Sequence, residues 1–234
     1  MHRLKRVVAR DWPRFLIELV IVVSGISISF AFQDWREATR ARSEEHRLLR
    51  TIESDLQVDQ RYLKTYLEML ERGHEQLGSL LTKNGLEGKE LDVAMDQAIS
   101  YADFKPMTVG WKELEQTGAS GLIRDKLILG ELIILHGQCY AACAEWGRIN
   151  RDFVLQRMIP YIDEHGPFVE ASFESGVTGG MGVIHQALFE QVQFRNLIRT
   201  NRLFRQGQQA VYGVAVEKLE AIQKLLQKAL RSPP

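Results

Sequence analysis

An uninterrupted apolar segment lies close to the N-terminus and runs from Phe15 to Phe32, reading FLIELVIVVSGISISFAF. As a helix, its eighteen residues would span roughly 27 Å, close to the thickness of the hydrocarbon core of a bilayer. Glu18 is its only charged residue, and no polar face interrupts it. The segment therefore predicts a transmembrane helix, so that the rest of the chain is held at a membrane surface.

The residues that flank this segment suit the two surfaces of a bilayer. Trp12 and Trp35 are expected to be interfacial anchors, because indole rings favour the headgroup region. Asp11-Trp12-Pro13 predicts the start of the helix, since Asp can cap free amides and Pro is tolerated in the first turn. We expect three parts: a short basic N-terminal tail over residues 1–14, a transmembrane helix over 15–35 and a helical bundle domain over 36–231.

A cleaved signal peptide is the alternative interpretation of the N-terminus. Its basic region is present, but the apolar segment exceeds the usual length of about 7–15 residues, and Ser29-Phe30-Ala31 is a poor cleavage site. We therefore expect a retained anchor. Five Lys or Arg residues precede the segment and five follow it up to Arg50, so this count is balanced. The short basic tail favours a cytoplasmic N-terminus with the bulk of the chain outside.

Composition limits the possible partners and sites. The 30 acidic and 30 basic residues balance, so nothing suggests a nucleic-acid partner. The roughly 200 residues that follow the anchor are enough for one well-packed domain. Cys139 and Cys143 are spaced as on adjacent helical turns, where a disulfide fits poorly, and two thiols alone do not make a zinc site. They are expected to be small buried side chains.

The helix is predicted to continue beyond the membrane, because no Pro occurs from Gln33 to Thr82. Apolar residues there recur at alternating steps of three and four: Leu49, Ile52, Leu56, Leu63, Tyr66, Leu70, Leu77 and Leu80. Asp59 and Gly73 interrupt this stripe, and further leucines broaden it. A broad, interrupted stripe favours a bundle helix over a strict two-stranded coiled coil.

Further helices are predicted over residues 90–101, 109–116, 122–162 and 183–230. Lys105-Pro106 should break the chain after the first of these, and Pro160 should bend or end the third. An irregular, glycine-rich stretch covers 165–182, and no alternating run of β-branched residues argues for a sheet. The predicted fold class is all-α, with one N-terminal transmembrane helix continuing into a long helix of an antiparallel helical bundle.

Several short stretches carry a resemblance. Glu18 to Gly25, running into Phe32-Gln-Asp-Trp-Arg-Glu37, is similar to the opening of an uncharacterised bacterial family of single-pass proteins with a domain of unknown function. Trp111-Lys-Glu-Leu114, followed by Gly118 to Ile123, and Phe194-Arg-Asn-Leu197 resemble later parts of that family. The resemblance implies an N-terminally anchored helical protein of the bacterial inner (cytoplasmic) membrane, and it supplies no function. The glycine-rich stretch near residue 180 departs from the family pattern.

One narrow face of the transmembrane helix is a candidate interface. At 100° per residue, Glu18, Gly25, Ser29 and Arg36 lie within about 20° of one line. Helices associate in lipid through close backbone approach at small residues and through interhelical hydrogen bonds. The face therefore predicts a homo-oligomer or pairing with another membrane protein. Glu18 could hydrogen-bond across helices, relay protons or simply be tolerated near the edge of the bilayer.

Motifs for catalysis or cofactor binding are lacking in the sequence. The six histidines are scattered without metal-ligand spacing, and Gly176 to Gly182 matches no nucleotide-binding fingerprint. We expect no cofactor and no metal, and a non-enzymatic single-pass membrane protein whose helical domain mediates self-association or partner binding. The alternative is a membrane-tethered sensory or ligand-binding bundle, with a pocket lined by Trp111, Tyr140 and Trp146. The bilayer is the first expected partner, and a small-molecule ligand stays undetermined.

Overall fold

The computed structural model describes residues 2–82, 89–116, 118, 121–166 and 188–231. Within these ranges the chain is helical with no strand, which confirms the predicted all-α class. The helices, named here in chain order, are α1 (His2–Thr82), α2 (Lys89–Ile99), α3 (Val109–Gln116), α4 (Lys126–Ile134), α5 (Tyr140–Phe153), α6 (Ile159–His165) and α7 (Val192–Arg231).

The first helix is unbroken from the apolar segment into the bundle. It begins at His2 and passes through Pro13, so the predicted start at Asp11-Trp12-Pro13 is wrong. Residues 2–10 contain neither Gly nor Pro and include good helix formers, and Pro13 removes only one backbone hydrogen bond close to the helix end. The prediction of a continuous helix to Thr82 is confirmed.

The second half of α1 packs antiparallel against α7. The Lys64 Nζ lies 2.8 Å from a Glu220 carboxylate oxygen, and further along α1 the Arg202 Nε donates to the His74 carbonyl at 3.2 Å. The predicted apolar stripe of α1 faces this contact, and its aliphatic members are buried: Leu49, Ile52, Leu56, Leu63, Leu70, Leu77 and Leu80. Each such side chain contributes about 2 kcal/mol through removal from water. The antiparallel bundle is therefore held along the α1–α7 seam.

The helices α4, α5 and α6 form one continuous helical segment with two wider turns. Asp125 caps its start, accepting hydrogen bonds from the amides of Leu127 and Ile128. The π-helical turns cover Leu135–Cys139 and Val154–Met158. Each wide turn shifts the phase of the helix, so that buried Leu135 is followed by buried Tyr140 five residues later.

Pro160 neither ends nor breaks this segment, contrary to one predicted outcome, because the helix continues to His165. The residue lies directly after the second π-helical turn, and the helix passes through it although Pro160 has no N–H to donate. The other predicted break is confirmed: α2 ends at Ile99, and residues 100–108 around Lys105-Pro106 form no helix before α3 begins at Val109.

Two apolar clusters make up the core. The larger one lies around the middle of α1 and includes Leu56, Phe104 and Tyr212, whereas the smaller one lies around Leu77 and Phe194. Cys143 is buried in the larger cluster and Cys139 is half-buried beside it, both as free thiols. Most of the predicted irregular stretch 165–182, including Gly176 to Gly182, lies outside the described residues.

Candidate functional site: the exposed face of α1 and its polar supports

The apolar part of α1 is not covered by any other described part of the chain. The large apolar residues from Leu16 to Phe32 are 44–69% exposed. A patch of this size on a single helix is far larger than water-soluble monomers normally expose. Among the described residues, two helical stretches are long and apolar enough to cross a membrane by length and composition, Leu16–Leu81 and Lys126–His165. The apolar window of the first is exposed throughout, whereas 28% of that of the second is buried. The N-terminal helix is therefore the stronger candidate span.

The predicted interface residues all lie on this exposed helix. Glu18, Gly25, Ser29 and Arg36 are exposed, and a Cβ atom placed on Gly25 would meet no heavy atom within 4 Å. The Ser29 hydroxyl donates a hydrogen bond to the Gly25 carbonyl at 2.8 Å, which joins these two residues within one helical turn. The Arg36 guanidinium carbon lies 6.0 Å from the centre of the Phe32 ring. The face is open to a second helix.

The predicted interfacial anchors lie at the two ends of the apolar stretch. Trp12 is 59% exposed and Trp35 is 62% exposed, so both rings project away from the helix. The Trp35 and Phe32 rings have centroids 5.8 Å apart in a tilted arrangement. Together with Arg36, they place aromatic and basic groups side by side where the helix leaves its apolar stretch.

Two shallow grooves continue along α1 beyond Trp35. The first, of about 760 Å³, is lined by residues between Phe32 and Ser43, including Arg36 and Arg40. The second, of about 800 Å³, is lined by residues between Ser43 and Asp55 and by Val109 at the start of α3. The grooves share Ser43, so they adjoin each other along α1 from the end of the apolar stretch to the start of α3.

A buried acidic cluster on α1 lies behind the second groove. The Asp59 carboxylate accepts hydrogen bonds from the Met107 amide and from the Tyr140 hydroxyl, both at 2.8 Å, and the Asp55 carboxylate accepts one from the Gly110 amide at 2.8 Å. Burial raises the pKa of Asp59 to about 6, against the opposing effect of these hydrogen bonds. The cluster fixes the chain between α2 and α3 against α1.

The three aromatic residues of the predicted ligand pocket are engaged in packing. Trp111 stacks on His136 with ring centroids 4.3 Å apart. Tyr140 is 3% exposed, hydrogen-bonded to Asp59 and in edge contact with His136 at 5.0 Å. Burial lowers the pKa of His136 to about 4, so the ring is neutral at physiological pH. Trp146 instead covers Gly207 of α7.

A buried arginine between the two apolar clusters organises a second polar layer. The Arg205 guanidinium donates to the carbonyls of Gln97 and Ser100, the latter at 2.7 Å, and to the Asn201 side chain at 3.2 Å. Within the described residues it makes no ion pair, and burial lowers its pKa to about 10. Gly73 of α1 leaves room for the guanidinium, because a Cβ there would collide with Nη1.

Sequence reasoning missed the roles of these buried polar residues, although one signal pointed to two of them. Asp59 and Gly73 are the two interruptions of the apolar stripe on α1. Each marks the level at which a polar side chain from another helix enters the core, Tyr140 at Asp59 and Arg205 at Gly73.

Comparisons with known proteins add no relative. No protein-family model matches the chain, and neither a curated protein nor a solved structure matches it. The resemblance to the uncharacterised bacterial family therefore stays an expectation.

Proposed function

We propose that this protein is a non-enzymatic, single-pass protein of the bacterial inner membrane, whose exposed α1 face associates with another membrane helix and holds the bundle at the membrane surface. The observation that carries the proposal is the continuity of α1. One helix contains both the fully exposed apolar stretch and the buried stripe of the bundle core. An apolar helical surface of this length is stable in lipid or against another apolar surface, and not in water.

The open Gly25–Ser29 segment supports association more specifically. In lipid, no hydrophobic force drives helices together, so close packing at small residues has to supply the attraction. Gly25 has open space above it, and Ser29 lies one turn further along the same face. The topology of the bundle adds a second point. Because α7 runs antiparallel to α1, its C-terminal end points back towards the proposed membrane span.

Alkaline carbonate extraction of native membranes tests the anchoring part of the proposal. We expect the full chain to stay in the membrane pellet and to retain Met1 to Phe32 when its N-terminus is sequenced. Release into the soluble fraction, or a mature N-terminus near Phe32, would overturn the proposal. A peripheral membrane protein that carbonate releases into the soluble fraction serves as the extraction control.

A further inference from the structure

A stripe of arginines continues the candidate interface beyond the membrane. We define the arginine stripe as Arg36, Arg40, Arg47 and Arg50. At 100° per residue, its members lie within about 40° of the line that joins Glu18, Gly25, Ser29 and Arg36. All four are exposed, and both grooves along α1 are lined by members of this stripe. The membrane face and the arginine stripe are therefore one surface.

The acidic residues of the same stretch lie off this line, although Glu37 also lines the first groove. Asp34, Glu37, Glu44 and Glu45 are each displaced by at least about 80° from the line through Arg36. Glu45 is buried and bound by Arg124 at 2.7 Å. The stripe line therefore carries only basic charges, whereas the acidic residues lie off it, with Asp34 and Glu37 exposed and Glu45 buried.

The charges that face the stripe neutralise only part of it. Arg40 pairs with Glu44 at 2.9 Å, and Arg47 pairs with Glu113 of α3. Arg36 contacts the Phe32 ring, and Arg50 makes no ion pair within the described residues. His46 and Asp55 also line the second groove, but Asp55 is buried and holds the Gly110 amide. The two grooves are thus lined by four arginines together with Glu37 and Asp55, and Arg36 and Arg50 are the stripe residues outside ion pairs in the described part of the chain.

This arrangement opposes self-pairing. Two copies inserted in the same direction would pair in parallel about a two-fold axis, so each residue on the shared face would lie opposite its own counterpart. Pairing through Gly25 and Ser29 would then set the two arginine stripes against each other. Like charges that face each other across two helices oppose their association, whereas opposite charges favour it.

Resting on the proposed function, we propose that the partner of the α1 face is a different membrane helix. It runs parallel to α1 and carries Asp or Glu at steps of three and four beyond its own apolar segment. The grooves favour a helix over lipid headgroups. They extend from Phe32 to Asp55, about 34 Å along α1, whereas the headgroup layer on one side of a bilayer is only about 5–8 Å thick.

A charge-reversed copy of this chain is the probe that tests the proposal. It carries Arg36→Glu, Arg40→Glu, Arg47→Glu and Arg50→Glu, and is coexpressed with a differently tagged copy that keeps its arginines. Both copies contain Ser43→Cys in a Cys139→Ser, Cys143→Ala background, so crosslinking reports contact at the shared centre of the two grooves. We expect the mixed pair to crosslink at least about fivefold more than the pair with two arginine stripes, because several exposed opposite charges add modest contributions.

Two further variants keep the result interpretable. Arg36→Glu with Arg50→Glu alters only the two stripe residues outside ion pairs, and should give the same preference at lower magnitude without disturbing Glu44 or Glu113. Arg42→Glu with Arg195→Glu makes an equal change of charge at exposed positions off the stripe, and should give no preference.

The proposal would be overturned if the mixed pair crosslinked no more than the pair with two arginine stripes. It would also be overturned if the off-stripe control variant gave the same preference for the mixed pair. The same measurement in nanodiscs without and with phosphatidylglycerol separates a lipid explanation. Phosphatidylglycerol alone could raise the crosslinking of two copies that both keep their arginines to the level of the mixed pair. That result would show that lipid headgroups, and not an acidic helix, bind the arginine stripe. Absence of crosslinks in every pairing, with the protein still in the membrane pellet, would instead refute association itself.

Discussion

The Ser29 hydroxyl donates its hydrogen to the Gly25 carbonyl at 2.8 Å, so the two small residues of the α1 face are joined by a bond within their own helix. The hydroxyl therefore offers a neighbouring helix only its lone pairs, and Gly25 offers its bare backbone. The face is built for close approach more than for donating hydrogen bonds.

We expect Gly25→Leu to disrupt association of α1 with its partner helix, because the larger side chain fills the open space through which the backbones approach. Val23→Leu is the matched control, since it adds comparable bulk about 160° away on the same helix. Crosslinking of both variants in native membranes measures the effect. The same pattern of crosslinked species for wild type and Gly25→Leu would show that this face is not the interface.

Asp59→Asn should change the dependence of stability on pH. Burial raises the pKa of Asp59 from 3.8 to about 6, so between these values the folded state binds the proton more tightly than the unfolded state. The contribution of Asp59 to stability is thus greatest below pH 4 and is lost as the pH rises through 6. Asn stays neutral, so relative to wild type the variant should gain roughly 1–2 kcal/mol between pH 4 and pH 7.

Thermal unfolding of the full chain in mild detergent at pH 4, 5, 6 and 7 checks this prediction. The informative quantity is the difference between wild type and Asp59→Asn, because the other carboxylates titrate in both proteins. A difference that does not vary with pH would contradict the raised pKa. Tyr140→Phe serves as a second variant: it removes the hydroxyl that lowers the pKa of Asp59, and should move the transition to higher pH.

Gly73→Ala should destabilise the bundle by about 2 kcal/mol or more, because the new Cβ would overlap the buried Arg205 guanidinium and approach the Gln97 side chain. Gly213→Ala is the matched control. It lies in α7 with open space above it, so it should stabilise the helix by about 0.5–1 kcal/mol. Equal changes in the melting temperature of the two variants would argue against the tight contact at Gly73.

The proposed orientation places the bundle outside the cytoplasm. A reporter that is active only in the cytoplasm should therefore be silent when fused after Pro234, and active when fused before Met1. The physical reason is that a short basic tail is retained on the cytoplasmic side. Strong activity of the C-terminal fusion would reverse the orientation without affecting the arguments about the α1 face.

Local spacing and the absence of Pro from Gln33 to Thr82 were sufficient to predict that α1 continues to Thr82 and which of its residues form the buried stripe, whereas its start at His2 was not predicted. The pairing of Asp59 with Tyr140, and of Gly73 with Arg205, was beyond such reasoning. Both partners come from helices distant in sequence. The π-helical turn Leu135–Cys139 also shifts the phase that sets the position of Tyr140, and it has no signature in composition.

The continuity of α1 also has a mechanical consequence. Thr82 lies about 70 Å along the helix from Trp35, and the described chain has no hinge between them. A change of about 10° in the tilt of the span would therefore carry the far end of the bundle sideways by about 12 Å. In the proposed anchored arrangement, the arrival of a partner helix or a change in bilayer thickness would therefore displace the far end of the bundle, well away from the membrane, by a distance similar to the width of a helix.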